Sequence, residues 1–486
     1  MLGHSSATTT TLVIFGASGD LTQRKLIPSL YNLYRRKRLP AALNIVGFAR
    51  RAWTDDDFRS LLCEDVQFIE KDGFEQSTWD EFAARLHYWK GDLATRDDYQ
   101  GLSKFLDDLE KRNANRLYYL ATAPDYYEPV VSNLHAVGLS DESDGWRRVV
   151  IEKPFGYDLT TALALNQVVH AAFKENQVYR IDHYLGKETV QNVLFFRFAN
   201  AIFEPIWTRN YVDHIQITVA EDLDVGTRAG YYDKAGVMRD MFQNHLLQLL
   251  CLVAMEPPAS FSADALRNEK VKVLSAVRPI SIADTVRAQY EGYLETPGVS
   301  PNSQTPTFAA LELYIDNWRW QDVPFFLRSG KALARKTSEI IVQFRRPPTQ
   351  YFNLARGRRL TPNMLSLCIQ PDEGIHLKFE TKVPNSANDI RSADMEFHYR
   401  DSFKDTMLPD AYERLLLDAL LGDASLFTRE DEIELSWKLI DYLMRGWETP
   451  QAPPLVAYPR GTWGPDEANA LLANEEREWW LGCGGH

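Results

Sequence analysis

The chain has 486 residues, more than one ordinary hydrophobic core accommodates, so two domains are expected, each large enough to bury most of its apolar surface. Its 67 acidic and 54 basic residues leave a net charge of -13, which repels a nucleic-acid backbone or an anionic membrane surface. Neither nucleic acid nor membrane is therefore expected as a partner, and any phosphate site must be a local basic pocket.

Residues 1–11 are polar and threonine-rich, without the charged and apolar regions of a signal peptide. Leu12-Val-Ile-Phe15 then reads as a strand ending at a glycine, Leu26, Leu30 and Leu33 recur at helical spacing, and Asn44 to Phe48 reads as a second strand. Pro28 fits the first turn of a helix better than its interior. Further strands are expected at Arg116 to Ala121 and Arg148 to Ile151, with helices at Asp97 to Lys111 and Tyr126 to Val137, which together describe a parallel sheet with crossover helices.

Beyond Lys187 extended segments dominate. His214 to Ala220, Val271 to Val277, Val286 to Tyr293, Phe308 to Ile315, Phe325 to Arg328, Glu339 to Phe344, Met364 to Ile369, Ile375 to Lys382 and Ala393 to Tyr399 read as strands of a large antiparallel sheet. Helices at Lys234 to Met255 and Tyr412 to Leu421 are expected to cover it, and Thr296 to Thr307 to be an exposed excursion. The fold class is thus an α/β Rossmann-like dinucleotide-binding domain, residues 10–181, followed by a larger α+β domain, residues 182–486. The longest apolar run, Leu249 to Met255, falls far short of the about twenty residues of a membrane span. Cys63, Cys251, Cys368 and Cys483 lie far apart without paired metal-ligand spacing, so reduced thiols, no metal and a cytoplasmic location are expected.

Several segments carry candidate chemistry. Gly16-Ala-Ser-Gly-Asp-Leu21 follows a strand and precedes a helix, where backbone amides approach a pyrophosphate. Ser18 and Leu21 replace the second and third glycines of the usual fingerprint, so by spacing alone an ordinary strand-to-helix turn is an equal reading. Arg50 and Arg51 end the second strand, where an arginine suits a 2′-phosphate and an acid would suit a free ribose; solvated surface arginines are the alternative. Asp92, after a further strand, is a candidate for the adenine side. Glu152-Lys-Pro-Phe-Gly156 places Lys153 at the carboxyl end of the sheet, where open α/β sheets bind ligands, with a bend at proline that a cis peptide would provide.

Arg180-Ile-Asp-His-Tyr-Leu-Gly-Lys-Glu188 crowds Asp182, His183, Tyr184 and Lys187 beside one glycine; in a local helix His183 and Lys187 would share a face. Arg239-Asp-Met-Phe-Gln-Asn-His245 offers Asp240 and a histidine of the kind that serves as a general base, although a lone histidine in a helix is more often a packed residue. In an ideal α-helix those two would stand about 140° apart.

Taken together these segments resemble the glucose-6-phosphate dehydrogenase family, over roughly residues 12 to 400. The resemblance implies oxidation of β-D-glucose 6-phosphate to 6-phosphoglucono-δ-lactone, with NADP as cofactor and NAD as a weaker alternative. It implies that His245 is the base and Asp182 the carboxylate that orients it. Gly16, Ala17, Ser18, Gly19, Asp20, Leu21, Arg50, Asp92 and Lys153 would hold the cofactor, and Lys153, His183, Tyr184, Lys187, Glu221, Asp240, Lys331 and Lys336 the sugar phosphate. A homodimer or homotetramer through the outer face of the large sheet is implied by the family alone. Thr22 and Gln23, and Leu223 and Asp224, depart from the family pattern beside the glycine loop and Glu221. A related sugar dehydrogenase with another substrate and a non-catalytic NADP-binding sensor are the rival readings.

Overall fold

Because strands of a parallel sheet are covered on both faces, they read as continuous apolar runs, and Leu12 to Phe15 is such a run. It lies in β1 (Thr9–Phe15), with every residue from Thr10 buried. The structure is a computed structural model that describes residues 8–71, 73–111, 113–349, 351–352, 359–386, 389–403, 408–473 and 477–483. The chain forms two compact units: one holds Met1–Lys187, Ser260–Arg267 and Pro409–Glu434, the other Glu188–Ala259, Asn268–Leu408 and Leu435–His486. The single boundary expected between residues 181 and 182 takes no account of the two returning pieces.

In the first unit β1 pairs in parallel with β2 (Leu43–Ala49) on one side and β4 (Ala114–Leu120) on the other. β3 (Leu86–Lys90), β5 (Arg147–Ile151), β6 (Val178–Ile181) and β15 (Phe427–Thr428) complete the order β15-β6-β5-β4-β1-β2-β3, with only β15 antiparallel. This is the doubly wound arrangement, whose strand order reverses between β1 and β4. Pro28 sits in the first turn of helix Ile27–Arg35, after a wide π-type turn at Thr22–Leu26.

Helix Ala411–Leu421 was expected on the large sheet but packs in this first unit. Leu415, Leu416, Leu417, Ala419 and Leu420 join Leu12, Ile14 and Leu30 in one core. Arg36 is ion-paired to Glu413 at 2.8 Å, and Arg148 donates to the carbonyls of Ala419 and Leu420 at 2.8 Å. An amphipathic helix fits either sheet by pattern alone; these long-range cations select this one.

The second unit contains a nine-stranded sheet. Its strands are β7 (Val212–Ala220), β8 (Thr285–Tyr290), β9 (Phe308–Leu313), β10 (Phe325–Gly330), β11 (Thr337–Phe344), β12 (Met364–Gln370), β13 (Gly374–Lys382), β14 (Ile390–His398) and β16 (Leu455–Tyr458). The order is β14-β13-β12-β11-β7-β10-β9-β8-β16, antiparallel except for the β7–β10 and β8–β16 pairs. Val271 to Val277, expected as a strand, belongs mainly to helix Ala263–Ala276. The buried residues Lys270, Val273, Leu274 and Val277 recur three and four apart, and that period prevails over the strand preference of the valines. Nor is the loop after β8 wholly exposed: Asp233 accepts hydrogen bonds from Ser300 N at 3.1 Å, Tyr293 Oη at 2.9 Å and Ser303 Oγ at 2.5 Å.

The expectation of reduced cysteines is also corrected, since Cys368 on β12 and Cys483 form a disulfide. β11 and β12 bring Glu339 opposite Cys368, and β7 and β10 continue the row with Thr218 and Arg328. The C-terminal segment lies over that row: Trp479 stacks on the Arg328 guanidinium at 4.2 Å, while Gly482 N and Cys483 N each donate to Glu339 at 3.1 Å. A pairing fixed by strand register across 115 residues leaves no trace in cysteine spacing.

Candidate active site

The first unit gathers its candidate residues at the carboxyl edge of its sheet, at and beside the strand-order reversal. Gly16 leaves β1 with φ +88°, and a Cβ there would overlap the carbonyl of Ala121, just after β4, standing 2.9 Å from its carbon. Only glycine lets the loop pass so close to the neighbouring strand. Gly16 N donates to Phe48 O and Gly19 N to Gly16 O, both at 2.9 Å, so the loop is a hydrogen-bonded turn feeding the first helical residues. Ala17 is fully buried in the core, Leu21 packs against it, and Ser18 is half-buried. Asp20 pairs at 2.6 Å with Arg24 on the surface. Thr22, one of the departures, is fully buried and its hydroxyl donates to Gly16 O at 3.4 Å.

Just after β2 both Arg50 and Arg51 are exposed, and Arg51 lies over Trp53 at 5.0 Å. Tyr88 Oη fixes that segment by donating to Ala49 O at 3.1 Å and Arg51 O at 2.8 Å. After β3 Asp92 caps a turn, accepting from Ala94 N at 2.9 Å. After β5 the Lys153–Pro154 peptide is cis, and Lys153 is half-buried. Behind it Tyr119 Oη donates to Glu152 Oε1 at 2.6 Å and Tyr127 Oη to Glu152 O at 2.9 Å. Burial raises the Glu152 carboxyl above its ordinary range, opposed by hydrogen bonds from Tyr119 and Tyr412. These tyrosines hold the backbone that presents Lys153; nothing in their spacing announced it.

Asp182 follows β6 and is 2 % exposed. Its Oδ1 accepts from Tyr184 N at 2.9 Å, and its carbonyl from Leu185 N at 3.0 Å. Lys187 N donates to Tyr184 O at 3.1 Å, so the segment is two successive turns rather than a helix, which starts at Glu188. Lys187 Nζ stands 4.4 Å from the Tyr184 ring centroid, and the His183 ring packs edge-on against Tyr184 at 5.1 Å. Two cationic or hydrogen-bonding groups are thereby grouped on one aromatic side chain. Gly186 is needed for packing: a Cβ would come 2.6 Å from Ala411 O and 3.0 Å from Leu415.

In the second unit, Glu221 and Lys331 directly follow the parallel neighbours β7 and β10 and form an ion pair. Lys331 Nζ also reaches Asp240 at 3.4 Å and the Tyr232 ring at 5.2 Å. Glu221 N donates to Gly330 O at 3.0 Å, Leu333 N to Glu221 O at 2.9 Å and Ala332 N to Leu223 O at 2.9 Å. Leu223 therefore serves this loop through its carbonyl, with its side chain exposed, and Asp224 pairs with Arg460 at 2.8 Å. Tyr232, missed in the sequence, has its hydroxyl pushed well above the ordinary value by burial and then by the Asp240 charge.

The expected single helix Lys234 to Met255 is three pieces: Ala229–Val237 with a kink at Gly236, a π-type stretch Met238–Leu246, and Leu247–Ala254. In a π-helix the hydrogen-bonded partners are five residues apart, so Asp240 and His245 lie toward one face instead of standing about 140° apart as α geometry would give. Asn244 Nδ2 reinforces the wide turn by donating to Arg239 O at 3.2 Å. His245 is 1 % exposed. Lys336 is exposed, while Arg335 beside it donates to Cys483 O at 2.5 Å.

Comparison with known proteins agrees along the chain. The NAD binding domain of glucose-6-phosphate dehydrogenase matches residues 13–192, and the C-terminal domain of glucose-6-phosphate dehydrogenase matches residues 194–480. Glucose-6-phosphate 1-dehydrogenase 2 of Mycobacterium tuberculosis is 45% identical over 487 residues, covering 96% of this chain and 94% of that protein. The Chlamydia pneumoniae glucose-6-phosphate 1-dehydrogenase is 43% identical over 488 residues, with 96% and 95% covered. A solved glucose-6-phosphate dehydrogenase in complex with its substrate glucose-6-phosphate is 36% identical, with a TM-score of 0.91 over 98% of this chain and 100% of that one. For glucose-6-phosphate 1-dehydrogenase from Mycobacterium avium the TM-score is 0.84 at 36% identity, over 97% and 99%. The family models span nearly the whole sequence, and on that ground the chain belongs to the glucose-6-phosphate dehydrogenase family.

Proposed function

We propose that the chain oxidises β-D-glucose 6-phosphate at C1 to 6-phosphoglucono-δ-lactone, with NADP as hydride acceptor and His245 as base. Membership of the family makes it an oxidoreductase acting on the CH–OH group of a sugar phosphate. The observation that carries the reading is the likeness, over nearly the full length, to an enzyme solved with glucose 6-phosphate.

When bound, the nicotinamide cofactor supplies a hydride acceptor. The groups present suit such a molecule: a glycine turn at the strand-order reversal, an exposed arginine after β2 and a lysine after β5 share one sheet edge. In this reading the amides from Gly16 to Leu21 hold the pyrophosphate, Arg50 the 2′-phosphate and Asp92 the adenine side. Lys153 serves cofactor and sugar together. Lys187, His183 and Tyr184 grip the 6-phosphate, Glu221, Asp240 and Lys331 the sugar hydroxyls, and Lys336 adds positive charge. Asp182 keeps the His245 imidazole oriented and stabilises its protonated form, and His245 removes the C1 hydroxyl proton as the hydride leaves.

A homodimer or homotetramer belongs to the same reading, to be read from sedimentation. So does a cytoplasmic location; among the described residues no helix is long and apolar enough to cross a membrane. There the Cys368–Cys483 bond would face a reducing pool, and thiol titration of freshly isolated protein measures its state. The functional test is a steady-state panel of glucose 6-phosphate, other sugar phosphates and free glucose, each with NADP and NAD. The expected result is the highest kcat/KM for glucose 6-phosphate with NADP. Equal or better use of an unphosphorylated sugar would favour the sister-enzyme reading, and no turnover of any substrate the sensor.

A further inference from the structure

Away from the candidate active site, the β12–β13 turn and the β13–β14 pair assemble a group that no short motif announces. One ring nitrogen each of His376 and His398 and one carboxylate oxygen of Asp372 lie within 4.8 Å of one another. His376 lies on β13 opposite Glu396, and His398 on β14 opposite Gly374, so the side chains of the two histidines project from the same face of the sheet as diagonal neighbours. Their rings stand 5.0 Å apart at 67°. Asp372 reaches over from the preceding turn.

The polar atoms of this group are poised rather than paired with each other. His376 is 7 % exposed, and its Nε2 is buried with no hydrogen-bond partner among the described residues. His398 Nδ1 is likewise buried; it stands 3.3 Å from Asp372 Oδ1 without the alignment of a hydrogen bond. A buried nitrogen left so is costly unless something satisfies it. On its other side His398 Nε2 is 3.3 Å from Glu396 Oε2. A carboxylate accepting the proton of one ring nitrogen leaves the lone pair of the other facing its ligand, the arrangement that orients metal-bound histidines. Gly374 keeps that side open, since a Cβ there would stand 3.3 Å from His398 Nδ1. Arg400 Nη2, 3.8 Å from Asp372 Oδ1 on an exposed side chain, is a loose competitor.

The geometry points to a divalent transition-metal site, of which zinc is the natural occupant, held by His376, His398 and Asp372 with water completing four ligands. Two imidazoles and a carboxylate match the donor preference of zinc, whose bonds to nitrogen and oxygen are about 2.0–2.2 Å, so small rotations of the three side chains suffice to close on the ion. The ion would join the β12–β13 turn to β14, the edge strand of the large sheet, which has a single neighbouring strand among the described residues. Its role is to fasten that edge.

The test uses the full chain, stripped with chelator and then titrated with zinc sulfate by calorimetry and with cobalt chloride by visible absorption. One equivalent is expected, with the intense bands of four-coordinate cobalt. Affinity should fall by at least about tenfold in His398→Gln and in Asp372→Asn. A second group, His170, Glu175 and Glu430, is internally paired, with His170 Nε2 at 2.5 Å from Glu430 and Arg180 at 2.8 Å from Glu175, so His170→Gln should bind as the unmodified chain does. Circular dichroism checks folding of each variant, and Asp372→Asn, on a turn, decides if His398→Gln does not fold. Absence of binding, or binding that both substitutions leave unchanged, would overturn the proposal.

Discussion

Replacing Glu339 by glutamine should change how stability depends on pH. Glu339 is 0 % exposed, and burial lifts its carboxyl from the ordinary 4.5 to about 7, against the opposing pull of Arg328 and of the Gly482 and Cys483 amides. A carboxyl raised in this way keeps its proton in the folded chain after the unfolded chain has lost it. Stability therefore falls as pH rises from 4.5 through about 7, and the full cost of the buried charge is present above that window. The displacement corresponds to about 3 kcal/mol, of which about 2 kcal/mol falls between roughly pH 5.5 and 8. Glutamine keeps an oxygen for Gly482 and Cys483 but carries no charge, and any fixed packing penalty cancels when two pH values are compared. Denaturant titrations of both proteins, with the disulfide intact, should show Glu339→Gln gaining about 2 kcal/mol on the parent between those pH values. Parallel stability curves would refute the reasoning.

Other substitutions test the candidate site. Gly16→Ala places a methyl against the Ala121 backbone at positive φ, so the loop must move; NADP affinity should drop about tenfold or more, measured by fluorescence titration, with a smaller change in the KM for the sugar. Arg50→Ala should raise the KM for NADP about tenfold or more and leave that for NAD nearly unchanged, because only the former carries the 2′-phosphate. Equal losses would remove that contact. Lys187→Ala should raise the KM for glucose 6-phosphate by about tenfold or more through loss of a charge-assisted contact, and an unchanged KM would remove the phosphate assignment.

The sequence displayed the sheet-building runs well, since continuous apolar strands such as β1 and alternating ones such as β8 carry their own period. What it hid depends on partners distant in the chain. Helix Ala411–Leu421 joins the first unit through Glu413 to Arg36 and Arg148 to its last carbonyls, contacts no local pattern encodes. Cys368 and Cys483 meet because β11 and β12 bring Glu339 beside Cys368 and the C-terminal segment binds Glu339. In the candidate site, the motif residues were visible as clusters, and Glu221, Lys331 and Asp240 do converge. The supporting tyrosines, Tyr119, Tyr127 and Tyr232, were silent because core tyrosines look alike in sequence. The π-type geometry that puts Asp240 and His245 on one face was equally silent, as its residues are ordinary helix formers.

The role of His245 is measured most directly by the kinetics of His245→Asn with glucose 6-phosphate and NADP, followed by NADPH absorbance. A base of this kind contributes about 100- to 10,000-fold, so kcat should fall by that factor while the dissociation constant of the sugar phosphate, read by calorimetry, stays close to that of the parent. Near-normal turnover by the asparagine variant would contradict the account.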